Sequence, residues 1–494
     1  MEEYGTVISD MEGPSTRRFS FVINRDRVVK RGQFVQLKVK GGQLIGRVSD
    51  IMNTNRYFSN PESVKSVEES RPMAETYPTT EWEYLVANVA SMGVYNDGRF
   101  ADANFPPSPG EKVFAPDLEV LRRFFGLESA GGLHIGGLDH HELEVKLSLT
   151  RLLQKHLAIL AMSGAGKSFL MANVIEELLD RKEDDGKVAT IVIDTHGEYT
   201  SFADDPAYSN RVKVVPIEEL KIGLSGLGRH QLASLAGLSG PQARELGKVM
   251  SGMKPPYTIK ELISAVDEVL ESRSKEIILA SLDSLKELGI FGARDTPNVT
   301  ELARQGILTV IDMSGTISMK KKRLAVAHVA GRLFEARRSG GVPPFLLILE
   351  EAHQYVPEKV QKEHAICRGI LQTIAREGRK FHASLCLISQ RPVQLSTTIL
   401  SQCNTNIILR VTNPYDLKHI GESSEGITRD VQDQISSLQV GTGLVVGEAV
   451  NFPLFVKIRH RKSKESDKGL PLEQAALNYR KEAEKRKQDA KEFM

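Results

Sequence analysis

The chain has 494 residues, 40% hydrophobic and 26% charged, with a net charge of +2, the composition of a globular protein of roughly two to four domains. No apolar run approaches the roughly 18 residues of a membrane helix, and MEEYGTVISD lacks the basic-then-apolar order of a secretion signal. Cys367, Cys386 and Cys403 are too few and scattered for a disulfide framework or zinc site and lie in or beside apolar runs, so buried thiols in a cytoplasmic protein are expected. The near-neutral charge leaves nucleic acid open, because a DNA channel needs basic residues only along its lining.

Residues 1 to about 125 read as all-β. FVQLKVK (34–40) alternates, placing Val35, Leu37 and Val39 on one face. Gly41-Gly42 then turns the chain into QLIGRVSDI (43–51), a hairpin. YLVANVASMGVY (84–95) is a further strand, and the polar, proline-broken stretch before it is a loop or short helix. Short strands with Gly turns predict a small barrel, and FPPSPGEKVFAP (105–116) predicts a linker or rim loop.

From about 145, short apolar strands alternate with helical stretches: HLAILAM (156–162), VATIVIDTH (188–196), GILTVIDMS (306–314), FLLILEEAH (345–353), ASLCLISQ (383–390) and TNIILRVT (405–412). Segments apolar on both faces fit a parallel sheet covered by helices. Residues 218 to about 300 interrupt this rhythm with apolar residues at helical spacing, predicting a helical insertion. The charged tail reads as a solvated helix or as an arm reaching a neighbouring subunit.

AMSGAGKS (161–168) ends as a phosphate-binding loop but has Ala161 where the pattern G-x-x-x-x-G-K-[ST] has its first glycine. A strand precedes it and an amphipathic helix, SFLMANVIEELLD, follows, the context such loops require. Ser163, Gly164, Ala165, Gly166, Lys167, Ser168 and Phe169 are the expected nucleotide-binding residues. Lys167 reaches the β- and γ-phosphates and the Ser168 hydroxyl holds Mg²⁺; Ala161 is tolerable if its φ stays negative. In PPFLLILEEAHQYVP (343–357), Glu350 is the expected Mg²⁺ partner through water and Glu351 polarises the attacking water. Gln390, after the next strand, would sense the γ-phosphate. Asp194, His196 and Glu198 in VIDTHGEYTSF suggest a metal site without an apparent fourth ligand, or a loop linking the nucleotide to a moving part. His353 fits a structural histidine, and Lys155 is a further candidate for the site.

Hydrolysis also needs positive charge on the γ-phosphate, supplied in cis or in trans. IAREGRKFHA (374–383) offers Arg376, Arg379 and Lys380. With one phosphate loop and little room for a second core after 413, the sequence predicts composite sites in a ring or other oligomer.

A barrel followed by AMSGAGKS, VIDTHGEY, FLLILEEAHQYVP, IAREGRKF and ISQRPVQLSTTILSQCNTNIILRVTNP resembles the HerA translocases, relatives of FtsK, over almost the full length. The departures are Ala161 and Glu350. The resemblance implies an α/β fold, a RecA-like P-loop ATPase core with a helical insertion, preceded by a small N-terminal β-barrel of the HAS type. The expected divisions are a barrel over 1–125, the core over 126–217 and 301–460, the insertion over 218–300 and a charged arm over 461–494. It implies a hexamer that uses ATP and Mg²⁺ to pull double-stranded DNA through a pore, docked to a NurA-type nuclease for end resection in recombinational repair. A secretion or conjugation ATPase, and a nucleotide-gated scaffold with little turnover, are the competing readings.

Overall fold

The computed structural model describes residues 2–9, 13–55, 82–96, 98–359, 366–424 and 427–466, with scattered positions in 58–65 and 472–484. The chain divides into two compact units, 1–148 with 449–459, and 149–448 with 460–494.

In the first unit, β1 (Glu3–Ile8), β2 (Arg18–Ile23), β3 (Phe34–Val39), β4 (Gly42–Asn55), β5 (Glu83–Asn96) and β7 (Lys112–Phe114) pair in the order β2-β1-β7-β3-β4-β5. β5 returns to β2, closing a six-strand barrel, and β6 (Arg99–Ala101) extends β5 as a hairpin. Closure removes the sheet edges and buries Phe19, Phe21, Leu37, Leu44, Val89 and Val113 together. A Cβ on Gly5 would stand 1.9 Å from the Val22 carbonyl oxygen, so glycine permits the β1–β2 approach.

Two expectations change here. The linker expected over 105–116 contains β7, which joins β1 to β3. Three residues after a Pro/Gly-rich stretch carry almost no periodic signal, yet Val113 is fully buried. β3 does not alternate: Phe34 to Leu37 are all buried. Its second face is covered by Phe125, whose ring meets Phe34 edge-on at 5.1 Å. Gln36 is satisfied there by donating to Gln43 Oε1 at 2.7 Å and accepting from the Asp117 amide at 2.9 Å. The stretch expected as a loop or short helix before β5 lies largely outside the described residues.

β8 (Leu133–Leu138) pairs antiparallel with β9 (Glu144–Leu147) and with β20 (Leu454–Ile458). All three strands group with the barrel unit, whereas the expected boundary starts the ATPase core at 126. No helix separates β8 from β9, and a short turn can only give an antiparallel pair.

The second unit carries seven parallel strands in the order β12-β15-β11-β16-β17-β10-β18. They are β10 (Leu157–Leu160), β11 (Ala189–Asp194), β12 (Val212–Pro216), β15 (Leu308–Asp312), β16 (Phe345–Leu349), β17 (Ala383–Ser389) and β18 (Thr405–Ile408). β19 (Thr442–Gly447) adds antiparallel to β18. β10, β11, β16 and β17 are buried at every position, as parallel strands covered on both faces must be. β13 (Ile222–Gly223) and β14 (Phe291–Gly292) bracket a helical segment with its own core of Leu246, Leu262, Val266, Ile278, Leu282 and Leu285. Its helix Ile259–Val269 starts on a capping box of Thr258 and Glu261, which satisfies otherwise orphaned amides.

The helix Lys167–Asp180 is less amphipathic than its sequence suggests, because Leu170–Ile175 and even Glu176 are buried. The segment 460–466 covers one side of it. Glu176 Oε1 accepts from the amides of Lys462 and Ser463, both at 2.8 Å, and from Ser463 Oγ at 2.6 Å. The Lys464 amide donates to Asp205 Oδ2 at 2.8 Å. The first residues of the expected arm thus pack on their own chain; 467–471 and most of the remainder lie outside the described residues. The three cysteines are buried and free. Among the described residues no helix is long and apolar enough to cross a membrane.

Candidate active site

Loop 161–166 joins β10 to the helix Lys167–Asp180. Ala161 is fully buried and absent from the residues with positive φ, whereas Gly164 and Gly166 have φ of 74° and 100°. A Cβ at either glycine would meet nothing within 4 Å; the requirement is conformational. The Ala161 amide donates to Ser389 O at 3.2 Å, Met162 to Arg410 O at 3.0 Å and Ala165 to Met162 O at 3.4 Å. The Gly164 and Gly166 amides meet no acceptor among the described residues, and the helix start has no side-chain cap. These open donors at the positive end of a helix dipole make a phosphate cradle. Lys167 Nζ rests 3.5 Å from Met162 O, and Ser168 occupies the first helical turn, so the arrangement fits a nucleotide with its cation.

β11 and β16 end beside one another, and their acids behave differently from a simple pair. Asp194 Oδ1 accepts from the amides of Gly197 at 2.7 Å and Glu198 at 3.0 Å, and Oδ2 from Tyr199 at 2.9 Å. Glu350 Oε2 accepts from Thr195 at 2.8 Å and His196 at 3.2 Å. Five successive amides, 195 to 199, are therefore held by two buried carboxylates. Burial, reinforced by Asp194 and Glu198, pushes Glu350 up to about 9, against the two amides that favour its charge. Burial likewise raises Asp194 against its own three amides. Read from sequence, Glu350 belongs to the metal; in the structure Oε2 is committed to the turn, leaving only Oε1 for a metal-bound water. The metal reading of Asp194, His196 and Glu198 gains no support: Asp194 is occupied by amides, His196 is exposed, and among the described residues no three His, Cys, Asp or Glu side chains are grouped to hold an ion.

Glu351 is 5% exposed and sits at φ 49°, ψ 45°, a left-handed conformation costly for a residue with a Cβ and typical of functional sites. It makes no side-chain cap to the short helix that follows. Burial raises its pKa, while Lys167, His196 and the Gln390 amide favour the charged form. Glu351 thus lies within electrostatic reach of Lys167 and of the Gln390 amide, the grouping that a water-polarising acid, a phosphate lysine and a γ-phosphate sensor would need. Gln390 is placed by register: β17 runs parallel to β10 with Ser389 opposite Leu160, so both strands release their loops at one edge.

The basic cluster lies elsewhere. Arg376, Arg379 and Lys380 are exposed on the helix Arg368–Phe381, whose end leads into the start of β17, the edge opposite the phosphate loop. Arg376 and Arg379 have no acidic partner among the described residues. Phe169 meets His460 edge-on with centroids 6.3 Å apart. Lys155 also lies away from the loop, before β10 begins, and its Nζ pairs with Glu448 Oε2 at 2.7 Å.

Sequence gives little sign of two further residues. Lys322 is 8% exposed although it sits in the run MKKKR; burial lowers its pKa while Glu350, Asp312 and Asp194 oppose that shift. His156, at φ 63°, donates from Nε2 to Ala375 O (3.0 Å) and accepts the Leu385 amide at Nδ1 (3.0 Å). Burial lowers it to about 4.

Comparison with known proteins agrees with this geometry. The family described as "Helicase HerA, central domain" matches residues 133–333. The DNA double-strand break repair helicase HerA of Pyrococcus furiosus is 28% identical, covering 93% of this chain and 92% of that protein. Its namesake from Saccharolobus solfataricus is 26% identical, covering 92% of each. A probable helicase of Methanocaldococcus jannaschii is 28% identical over 87% of this chain and 86% of its own length. The chain is similar to HerA-type ATPases over most of its length. Its fold is also that of VirB4 of Thermoanaerobacter pseudethanolicus, with a TM-score of 0.53 and 16% identity, covering 68% of this chain and 98% of that one. The chain is accordingly an ATP-hydrolysing enzyme with a P-loop core, preceded in sequence by a closed barrel.

Proposed function

We propose that this chain is a cytoplasmic, ATP-driven translocase of double-stranded DNA, assembled as a hexameric ring and coupled to a NurA-type nuclease at its barrel for end resection in recombinational repair. The observation that carries the ring is the separation just described: Lys167 and Glu351 lie at one strand edge, and Arg376 and Arg379, which have no acidic partner among the described residues, lie toward the other. A guanidinium there serves a neighbour's nucleotide. The HerA-named relatives support the repair role and DNA as the track.

Bound ATP with Mg²⁺ supplies the phosphoryl group, its leaving group and the cation's charge. Loop amides 163 to 168 hold the phosphates, Lys167 leaves Met162 O for the β- and γ-oxygens, and Phe169 flanks the helix start. Ser168 would hold the cation, and Glu350, with Oε2 taken by the turn, would be the carboxylate available to it through water. Glu351 accepts a hydrogen bond from the attacking water, its basicity raised by burial. Gln390, tied to Glu351 through its amide, reports on the γ-phosphate.

A mixing experiment tests the reading. Lys167→Ala protein and Arg376→Ala/Arg379→Ala protein should each be inactive alone, and mixed rings should regain DNA-stimulated ATP turnover. Absence of regain in assemblies shown by mass to be mixed counts against shared sites, and absence of stimulation by any DNA counts against a DNA motor. Co-purification with a NurA-type nuclease, lost when residues 1–148 are removed, tests the docking.

A further inference from the structure

His353 stands between Glu351 and the strand that carries Gln390. Its Nδ1 lies 3.2 Å from Ser389 Oγ and 3.3 Å from Glu351 Oε2. Only the first contact has hydrogen-bond geometry, and Glu351 Oε2 is buried without a hydrogen-bond partner. In the tautomer that carries its proton at Nδ1, a neutral imidazole has one donor there, and Ser389 Oγ and Glu351 Oε2 compete for it. Ser389 is fully buried, and its Oγ also accepts from the Arg391 amide at 3.1 Å. It thereby joins His353 to the turn containing Gln390. Ser389 O also accepts the Ala161 amide at the start of the phosphate loop. Glu351 can rotate little to escape, because its backbone is held left-handed and its side chain is enclosed.

We propose that His353 is a positioning residue that switches Glu351: with Nδ1–H directed to Ser389 the carboxylate is open to water, and with Nδ1–H directed to Glu351 Oε2 it is occupied. A shift of residues 389–391, driven by the γ-phosphate on Gln390, selects between the two. His353 touches neither substrate nor water in this scheme. The inference rests on Glu351 as the water-polarising group.

The test is a cycle of variants in the full chain, read as kcat and KM for ATP with saturating DNA. Ser389→Ala removes the competing acceptor and turns the proton onto Glu351; kcat should fall about tenfold or more, the scale of one hydrogen bond to a charged group, with KM unchanged. His353→Phe in the Ser389→Ala background removes the donor and should restore kcat. His353→Asn, which keeps a donor near Nδ1, should leave the Ser389→Ala defect in place. ATP-analogue binding by each variant confirms that it is folded. An unaffected kcat in Ser389→Ala, or a double variant slowed at least as much as Ser389→Ala alone, overturns the switch. Glu351→Gln run alongside separates the two levels. If it abolishes turnover while the cycle fails, only the switch is wrong; if it retains turnover, the role of Glu351 itself is wrong.

Discussion

Two turns leave the same edge of the parallel sheet, and they treat their backbone donors in opposite ways. The turn after β11 directs the amides of 195 to 199 to carboxylates of its own chain, Asp194 and Glu350. The loop after β10 leaves the Gly164 and Gly166 amides without acceptors among the described residues. Both are concave runs of N–H groups suited to an anion; one carries its anion in the sequence and the other accepts it from outside. An acid at the end of a strand is therefore ambiguous until its oxygens are assigned: Glu350 serves the self-satisfied turn, and Lys167 favours the charged form of its neighbour Glu351.

The sharpest ways to break this contrast are kinetic. Arg376→Ala/Arg379→Ala should reduce turnover by about 10³–10⁵ if both act on a neighbour's γ-phosphate; an intact rate, measured at concentrations where the assembly persists, would remove the composite site. Glu351→Gln should cost about 10²–10⁴ in kcat while ATP-analogue binding persists. Glu350→Gln should be far milder than Glu351→Gln, since its amide oxygen still accepts from Thr195 and His196. Equal losses in the two would return Glu350 to the metal. Asp194→Ala strips three amides of their acceptor and should lower stability by about 3–5 kcal/mol, read from chemical denaturation.

The smallest effects are conformational and protonic. Gly166→Ala places a Cβ at φ 100°, costing about 1–2 kcal/mol; it should appear as weaker nucleotide binding more than as a lower melting temperature. His156 supplies a pH signature. Its folded pKa of about 4 lies below the ordinary 6.5, so its unfolded form binds the proton more readily. Its contribution is complete above 6.5 and is lost as pH falls toward 4, by about 3 kcal/mol in all. His156→Asn should flatten that part of the Tm–pH curve.

Much of this contrast is legible in the sequence. GKS after an apolar strand and before a helix announces the cradle, and FLLIL followed by two acids announces the second half of the site. The assignments within the pair are less legible, because which oxygens meet the turn depends on the β11–β16 register, a contact between segments more than 150 residues apart by the Thr195–Glu350 separation of 155. β7 escapes because three residues are too few for a period. Lys322 is hidden in a run of lysines that reads as solvated, and Glu176 in a helix whose cover arrives from the far end of the chain.

That cover and β20 bear on how the protein can be divided. The polypeptide passes between its units after 148, after 448 and after 459. Cleavage after 148 yields a barrel lacking the strand that zips onto Gly136, Gly137 and Leu138. Ending the chain at 459 removes every donor described above for Glu176, leaving an ionisable group enclosed in the helix that begins at Lys167. A minimal motor fragment must keep 460–466, and a minimal barrel must be joined to 454–458 by a linker, which no single cut provides.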